Sequence, residues 1–233
     1  MFFSADASRS NNGKLRTQPG AQQEAIRTLQ ELHARFPMVD YDSPEPTDLQ
    51  EKEKRKHRNK LYDGRGLVAE KPYASTSSVI EDSEALYDLP ALPASQSDVI
   101  LTADVLTSRA HLSNDKNGIY SEFNIHVDQV LKGTLPTSSK NDSVSVSRLG
   151  GIVRYPSGQK VRYEVGNQNM PATQKRYIFF LKATDDPDSY EILTGYEVRP
   201  TTVLSLDRGA KFEKFNGTDV MGFLNTVRDA IGK

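Results

Sequence analysis

Residues 121–133 read SEFNIHVDQVLKG, and the fold turns on how that alternation is read. Phe123, Ile125, Val127 and Leu131 fall on one side of an extended chain; Glu122, Asn124, His126 and Asp128 fall on the other. A period of two marks a half-buried strand. Upstream, DVILTADVLTS (98–108) is β-branched and alternating, and NDKNG (114–118) supplies turn chemistry between the two runs. Register follows from burial. Setting Val105 opposite Ile125, Ala103 opposite Val127 and Val99 opposite Leu131 places apolar against apolar and His126 against Asp104. A slip of two residues sets Asp104 against Asp128, a like-charge pair that is disfavoured.

Downstream come SVSVSRL (143–149), a Gly150-Gly151 break, IVRY, a Pro-Ser-Gly turn, KVRYEV, RYIFFLK, YEILTGYEV and TTVLSL. Six to eight short strands with no helix between them predict a mainly β domain, an antiparallel sandwich or small barrel. After Asn216-Gly217-Thr218, the residues Val220, Phe223, Leu224, Val227 and Ile231 share one helical face, so a C-terminal α-helix packs on the barrel.

The N-terminal part reads differently. Residues 1–20 are polar and read as disordered. Ala25, Ile26, Leu29, Leu32 and Phe36 recur at helical spacing until Pro37. A second helix, DLQEKEKRKHRNKLYDG, is expected to start at Thr47 with Gln50 as capping-box partner and to end at Gly64. It has no apolar residue between Leu49 and Leu61, the pattern of a solvent-bathed spacer. Residues 65–97 are rich in Ser, Pro, Ala and acids and read as a surface arm. Three segments result: an extension over 1–96, partly helical and partly disordered; a barrel over 97–215, expected to fold without it; and a helix over 216–233.

Composition excludes several chemistries. There is no cysteine, hence no disulfide, thiolate metal site or cysteine nucleophile. Net charge is −1, so the chain as a whole has no bias toward nucleic acid or membrane. No apolar run approaches the ~18 residues of a membrane span. Ala5-Asp6-Ala7 behind Phe2-Phe3 matches the end of a secretory signal, which would make the protein exported; the alternative is a chance A-x-A.

SDVILTADVLTS, YSEFNIHVDQVLKG, GGIVRYPSGQKVRYEV and KRYIFFL together resemble a group of uncharacterised bacterial exported proteins. Their barrel is similar to the OB-like module of netrin and tissue metalloprotease inhibitor domains. The resemblance covers roughly residues 95–205, with a weaker echo in EKEKRKHRNKLYDG. It implies a small antiparallel OB-like barrel and brings no catalytic residue with it. Two departures stand out. Thr102-Ala103-Asp104 lies where such sequences carry a glycine, and the cysteines on which the animal inhibitors depend are missing.

Chemistry-bearing clusters are few. His126 with Asp104 and Asp128 is the one set of ligand-like residue types, and it reads as a solvated cross-strand pair rather than a metal site. Ser157 and Lys160 match S-x-x-K, but in a hairpin turn instead of at a helix start. Residues 140–182 hold eight basic side chains against two acidic ones. Arg148, Arg154, Tyr155, Arg162, Tyr163 and Arg176 are therefore the candidate ligand-binding residues. On an OB-like barrel they form a basic groove with aromatic platforms, or else the arginines are solvent-side residues alternating with core. The expectation is a non-catalytic interaction module whose ligand or partner protein is unknown, without cofactor or metal. The alternatives are a polyanion or single-stranded nucleic-acid binder using 140–182, and an enzyme of unrecognised type.

Overall fold

The strands of the barrel form in the runs that sequence pattern marks, and a closed ring is what that pattern cannot announce. The computed structural model describes residues 35–65, 68, 77–80, 89–135, 143–186 and 189–232, with 77–80 described by their backbone. The expected disorder over 1–20 and nearly all of the helix expected before Pro37 lie outside these residues. In chain order the elements are β1 (Met38–Asp40), α1 (Leu49–Lys60), β2 (Ser77–Ile80), β3 (Val99–Leu112), β4 (Ile119–Lys132), β5 (Ser143–Leu149) and β6 (Gly151–Arg154). They continue as β7 (Lys160–Val165), β8 (Arg176–Ala183), β9 (Ser189–Val198), β10 (Val203–Ser205), α2 (Ala210–Glu213) and α3 (Val220–Ile231).

Strands β3, β4, β5, β9 and β8 hydrogen-bond in that order, and β8 returns to β3. Five strands therefore close into an OB-like barrel, antiparallel except for the β5–β9 pair. Leu101, Ala103, Val105, Phe123, Ile125 and Phe179 point inward and are at most 1% exposed. The run YIFFL in β8 is apolar without alternation because both faces are covered. Tyr177, Phe179 and Leu181 line the interior, while Ile178 and Phe180 meet Phe223 and Val227 of α3. Asp219 caps α3, accepting from Gly222 N at 2.8 Å.

Val105 pairs with Ile125, Ala103 with Val127 and Asp104 with His126, as burial demanded. The outer end differs from expectation. Ile100 pairs with Lys132 and Leu101 with Val130, so Leu131 is a bulge and does not face Val99. Asp128 and Leu106 are skipped in the same way. Each extra residue bends the hairpin, which a barrel needs in order to close.

IVRY and KVRYEV, expected as barrel strands, lie outside the barrel. Gly150, at a left-handed φ of 107°, turns the chain out of the barrel, and its missing Cβ leaves room for the Tyr163 carbonyl. β6 and β7 then form a separate four-stranded sheet with β1 and β2, in the order β1-β6-β7-β2. Both outer strands come from the segment before Ser97 and pair in parallel. The segment before Ser97 thus supplies strands to the same compact unit as the barrel. Phe36, Tyr62, Val68 and Leu89 are each at most 8% exposed. Burying such side chains contributes about 1.5–3 kcal/mol each. A chain begun at residue 95 is accordingly expected to melt well below the full chain. Hydrogen exchange should show early loss of protection in β6 and β7. Equal melting of the two would return the extension to the status of an arm.

Candidate functional site

The six candidate ligand residues do not share a surface. β6 pairs with β7 so that Arg154 and Arg162 lie on one face of the small sheet and Tyr155 and Tyr163 on the other. The tyrosines are buried, with hydroxyls 2.9 Å apart, and offer no stacking platform. Burial, with the Tyr163 hydroxyl bonded beside it, pushes the Tyr155 phenol far above its ordinary value. Arg154 makes a two-pronged bond to Asp40, with Nη2 2.7 Å from Oδ2. Arg176 grips Asp104 at 3.0 and 2.8 Å, and that bond holds the aspartate below the usual carboxylate range. Arg162 pairs with Glu164 at 3.3 Å and lies over the Phe36 ring.

Arg148 is buried outright. Its guanidinium donates to Asp207 Oδ2 (2.8 Å), Asn169 O (2.6 Å) and Leu193 O (3.1 Å). Asp207 also accepts from the Thr194 hydroxyl at 2.7 Å. This is a structural knot that ties two loops to the barrel. Four of the eight basic side chains of 140–182 are paired from outside that window: Arg148 with Asp207, Arg154 with Asp40, Arg176 with Asp104 and Lys182 with Asp98.

The exposed stripe of β4 is as expected at Asn124, His126 and Asp128. Among the described residues no three of His, Asp and Glu are placed to hold a metal ion. Ser157 sits in the exposed turn, where its hydroxyl accepts from Gln159 N at 3.4 Å.

Glu122 departs from that stripe and leads to the richest polar cluster. It is half-buried because α1 lies against it. The helix starts one residue later than expected: Asp48, not Thr47, is the N-cap and accepts from Glu51 N at 2.8 Å. A carboxylate serves better there because it also meets the positive end of the helix. The spacer reading of α1 fails. Arg58 Nε donates to Asp186 at 2.6 Å, and its Nη1 reaches Glu122 (3.1 Å) and Ser145 Oγ (3.4 Å). Tyr120 donates to Asn59 Oδ1 at 2.8 Å, and Arg55 contacts the His111 ring. Just past the helix, Tyr62 stacks on Tyr120 at 4.1 Å and donates to Ser147 at 3.0 Å. Burial keeps both phenols well above their ordinary acidity range, hence protonated and able to donate.

The β3–β4 turn completes the contact. Asp63 accepts from Asn114 N at 2.7 Å, and Asp115 accepts from Gly64 N at 2.7 Å. A Cβ on Gly118 would sit 2.1 Å from the Tyr62 carbonyl oxygen, so only glycine lets that backbone pass. Strands two and three of an OB barrel, with the turns joining strands one–two and four–five, form its usual ligand surface. Here these are β4, β5, residues 113–118 and the turn holding Asp186. The chain covers that surface with its own helix.

Arg55, Arg58 and Asn59 stand at i, i+3 and i+4 on one face of α1, and Tyr62, in the turn just past it, extends that stripe. Sequence reading missed them because the stripe is polar and hydropathy gives it no weight.

Acid should loosen this contact. Burial first, then the cations Arg55, Arg109 and Arg58, hold His111 down to about 3. The unfolded imidazole titrates near ~6.5. A depressed value means that the stability linked to neutral His111 is complete above about 6.5 and is lost as pH falls toward about 3. Asp115 adds a later step. Bonds from the Ser113 hydroxyl, then from Asn117 and Gly64 N, hold it at about 2. Its contribution fades below about 4. Melting temperature is expected to drop between pH 7 and 4, and His111→Gln should flatten that part of the profile. An unchanged slope in the variant would contradict the assignment.

No known protein family and no curated protein matches this chain.

Proposed function

We propose that this chain is a non-catalytic interaction module whose ligand is a protein, with a barrel of the netrin and tissue metalloprotease inhibitor kind. One observation carries the reading: the surface on which OB barrels hold oligonucleotides and oligosaccharides is already filled by α1. A polyanion would further have to compete with Asp40, Asp104, Glu164 and Asp207 for the arginines that could bind it. Among the described residues no helix is long and apolar enough to cross a membrane.

Titration of the full chain with a labelled single-stranded oligonucleotide and with heparin, in stepped salt, tests the reading. No saturable binding is expected at physiological salt. Saturable binding that weakens steeply with salt, and that is lost on reversing Arg154, Arg162 and Arg176, would overturn it in favour of a polyanion binder.

A further inference from the structure

We infer that the outer face of β4 and β5, with turn 113–118 and the Asp186 turn, is a recognition site for a partner protein's basic helix, a site that the chain fills with its own Arg55, Arg58, Asn59 and Tyr62. The inference rests on the reading that the ligand is a protein, and names its chemistry.

The receiving side is built for a cation flanked by an aromatic ring. Glu122 and Asp186 offer two carboxylates to one guanidinium, with the Ser145 hydroxyl beside them. Tyr120 presents a ring face to Tyr62 and its hydroxyl to Asn59, and Ser147 takes the Tyr62 hydroxyl. Gly118 lets the backbone of the incoming segment lie against the turn. Helix-in-groove recognition uses anchors at i, i+3, i+4 and i+7; the cis segment has that numerical spacing, with polar anchors on α1 and Tyr62 just past its end.

The helical part of the contact is polar: α1 buries no residue fully and side-chain bonds anchor its inner face, while Tyr62, just past it, is the one buried anchor. Glu122 Oε2 is buried and accepts no hydrogen bond, with His111 Nε2 3.9 Å away, so the site retains an unused acceptor that a different helix can satisfy. A second copy of the chain has nothing to gain by exchange, because its segment is identical and its own barrel already satisfies it. A partner helix with the same anchors and one more donor does gain.

A tethered segment competes at an effective concentration on the order of millimolar. The wild-type chain should therefore bind a labelled peptide of residues 47–65 only weakly. The full-length variant Arg58→Glu, Tyr62→Ala vacates the site and should bind that peptide at least about 100-fold more tightly. The peptide carrying the same two changes should bind neither chain. Adding Gly118→Ala to the variant should abolish binding, because the Tyr62 backbone can no longer approach.

Equal binding by wild type and variant, binding of the altered peptide, or indifference to Gly118→Ala overturns the inference. Arg58→Glu alone serves if the double variant does not fold. If neither folds, the segment is core and not ligand, and the inference falls. A wild-type dimer that the peptide dissolves would place a second copy in the site and overturn the partner assignment. None of these failures touches the broader reading, which falls only to polyanion binding.

Discussion

Replacing Asp207 with alanine is expected to destabilise the protein by about 3–5 kcal/mol, the cost of leaving a buried charge without its counter-ion. The Arg148 and Asp207 side chains are 1% and 0% exposed. Without the carboxylate, the guanidinium keeps only the Asn169 and Leu193 carbonyls, and the Thr194 hydroxyl loses its acceptor. Asp207→Asn restores an acceptor but not the charge, so it should fall between alanine and wild type. Replacing both Arg148 and Asp207 by apolar residues of similar volume is expected to cost far less than either single change, since it removes the desolvated charges together. Urea unfolding of the four chains decides it. A loss below about 1 kcal/mol for Asp207→Ala, the scale of surface changes, would mean that Arg148 is not buried as described.

Phe123→Ala should cost a comparable 3–5 kcal/mol, roughly the usual penalty for deleting a buried phenylalanine. Phe123 is 0% exposed and belongs to the barrel interior with Leu101, Val146 and Phe179. The barrel is closed, so the surrounding strands cannot collapse into the cavity without breaking their pairing, which places the expected loss toward the upper end. Asn124→Ala, one residue along on the exposed face, is the matched control and should stay within about 0.5 kcal/mol. If the two variants lost similar stability, β4 would be inside out.

These two sites show what a sequence does and does not disclose. Phe123 was legible because alternation is local: burial of one face fixes the strand, and opposed apolar pairs fix the register from Val105 to Ile125. Bulges at Leu106, Asp128 and Leu131 were not, because they answer to ring closure, which no single strand records. Arg148 was misread as a ligand residue because its partner lies 59 residues on. Asp40, Asp104 and Asp207 likewise sit outside the basic segment 140–182. The small sheet was hidden by its parallel outer strands, contributed from residues 38–40 and 77–80. Helix α1 was read as a spacer since attachment through Arg58, Asn59 and Tyr62 leaves no hydrophobic stripe. Fold followed from hydropathy; the candidate site did not, because it is made of directional polar contacts between distant segments.

The chain lays its own helix and the turn behind it across β4 and β5 of the barrel, and the Tyr62–Tyr120 stack is the contact that reports on this placement. The ring centroids are 4.1 Å apart and the planes lie within 9° of each other. Nuclear Overhauser spectroscopy on the full chain with labelled tyrosines is predicted to give strong ring-to-ring cross-peaks between these two residues at neutral pH. Tyr62 resonances at unfolded-chain positions, with no cross-peak to Tyr120, would contradict the account.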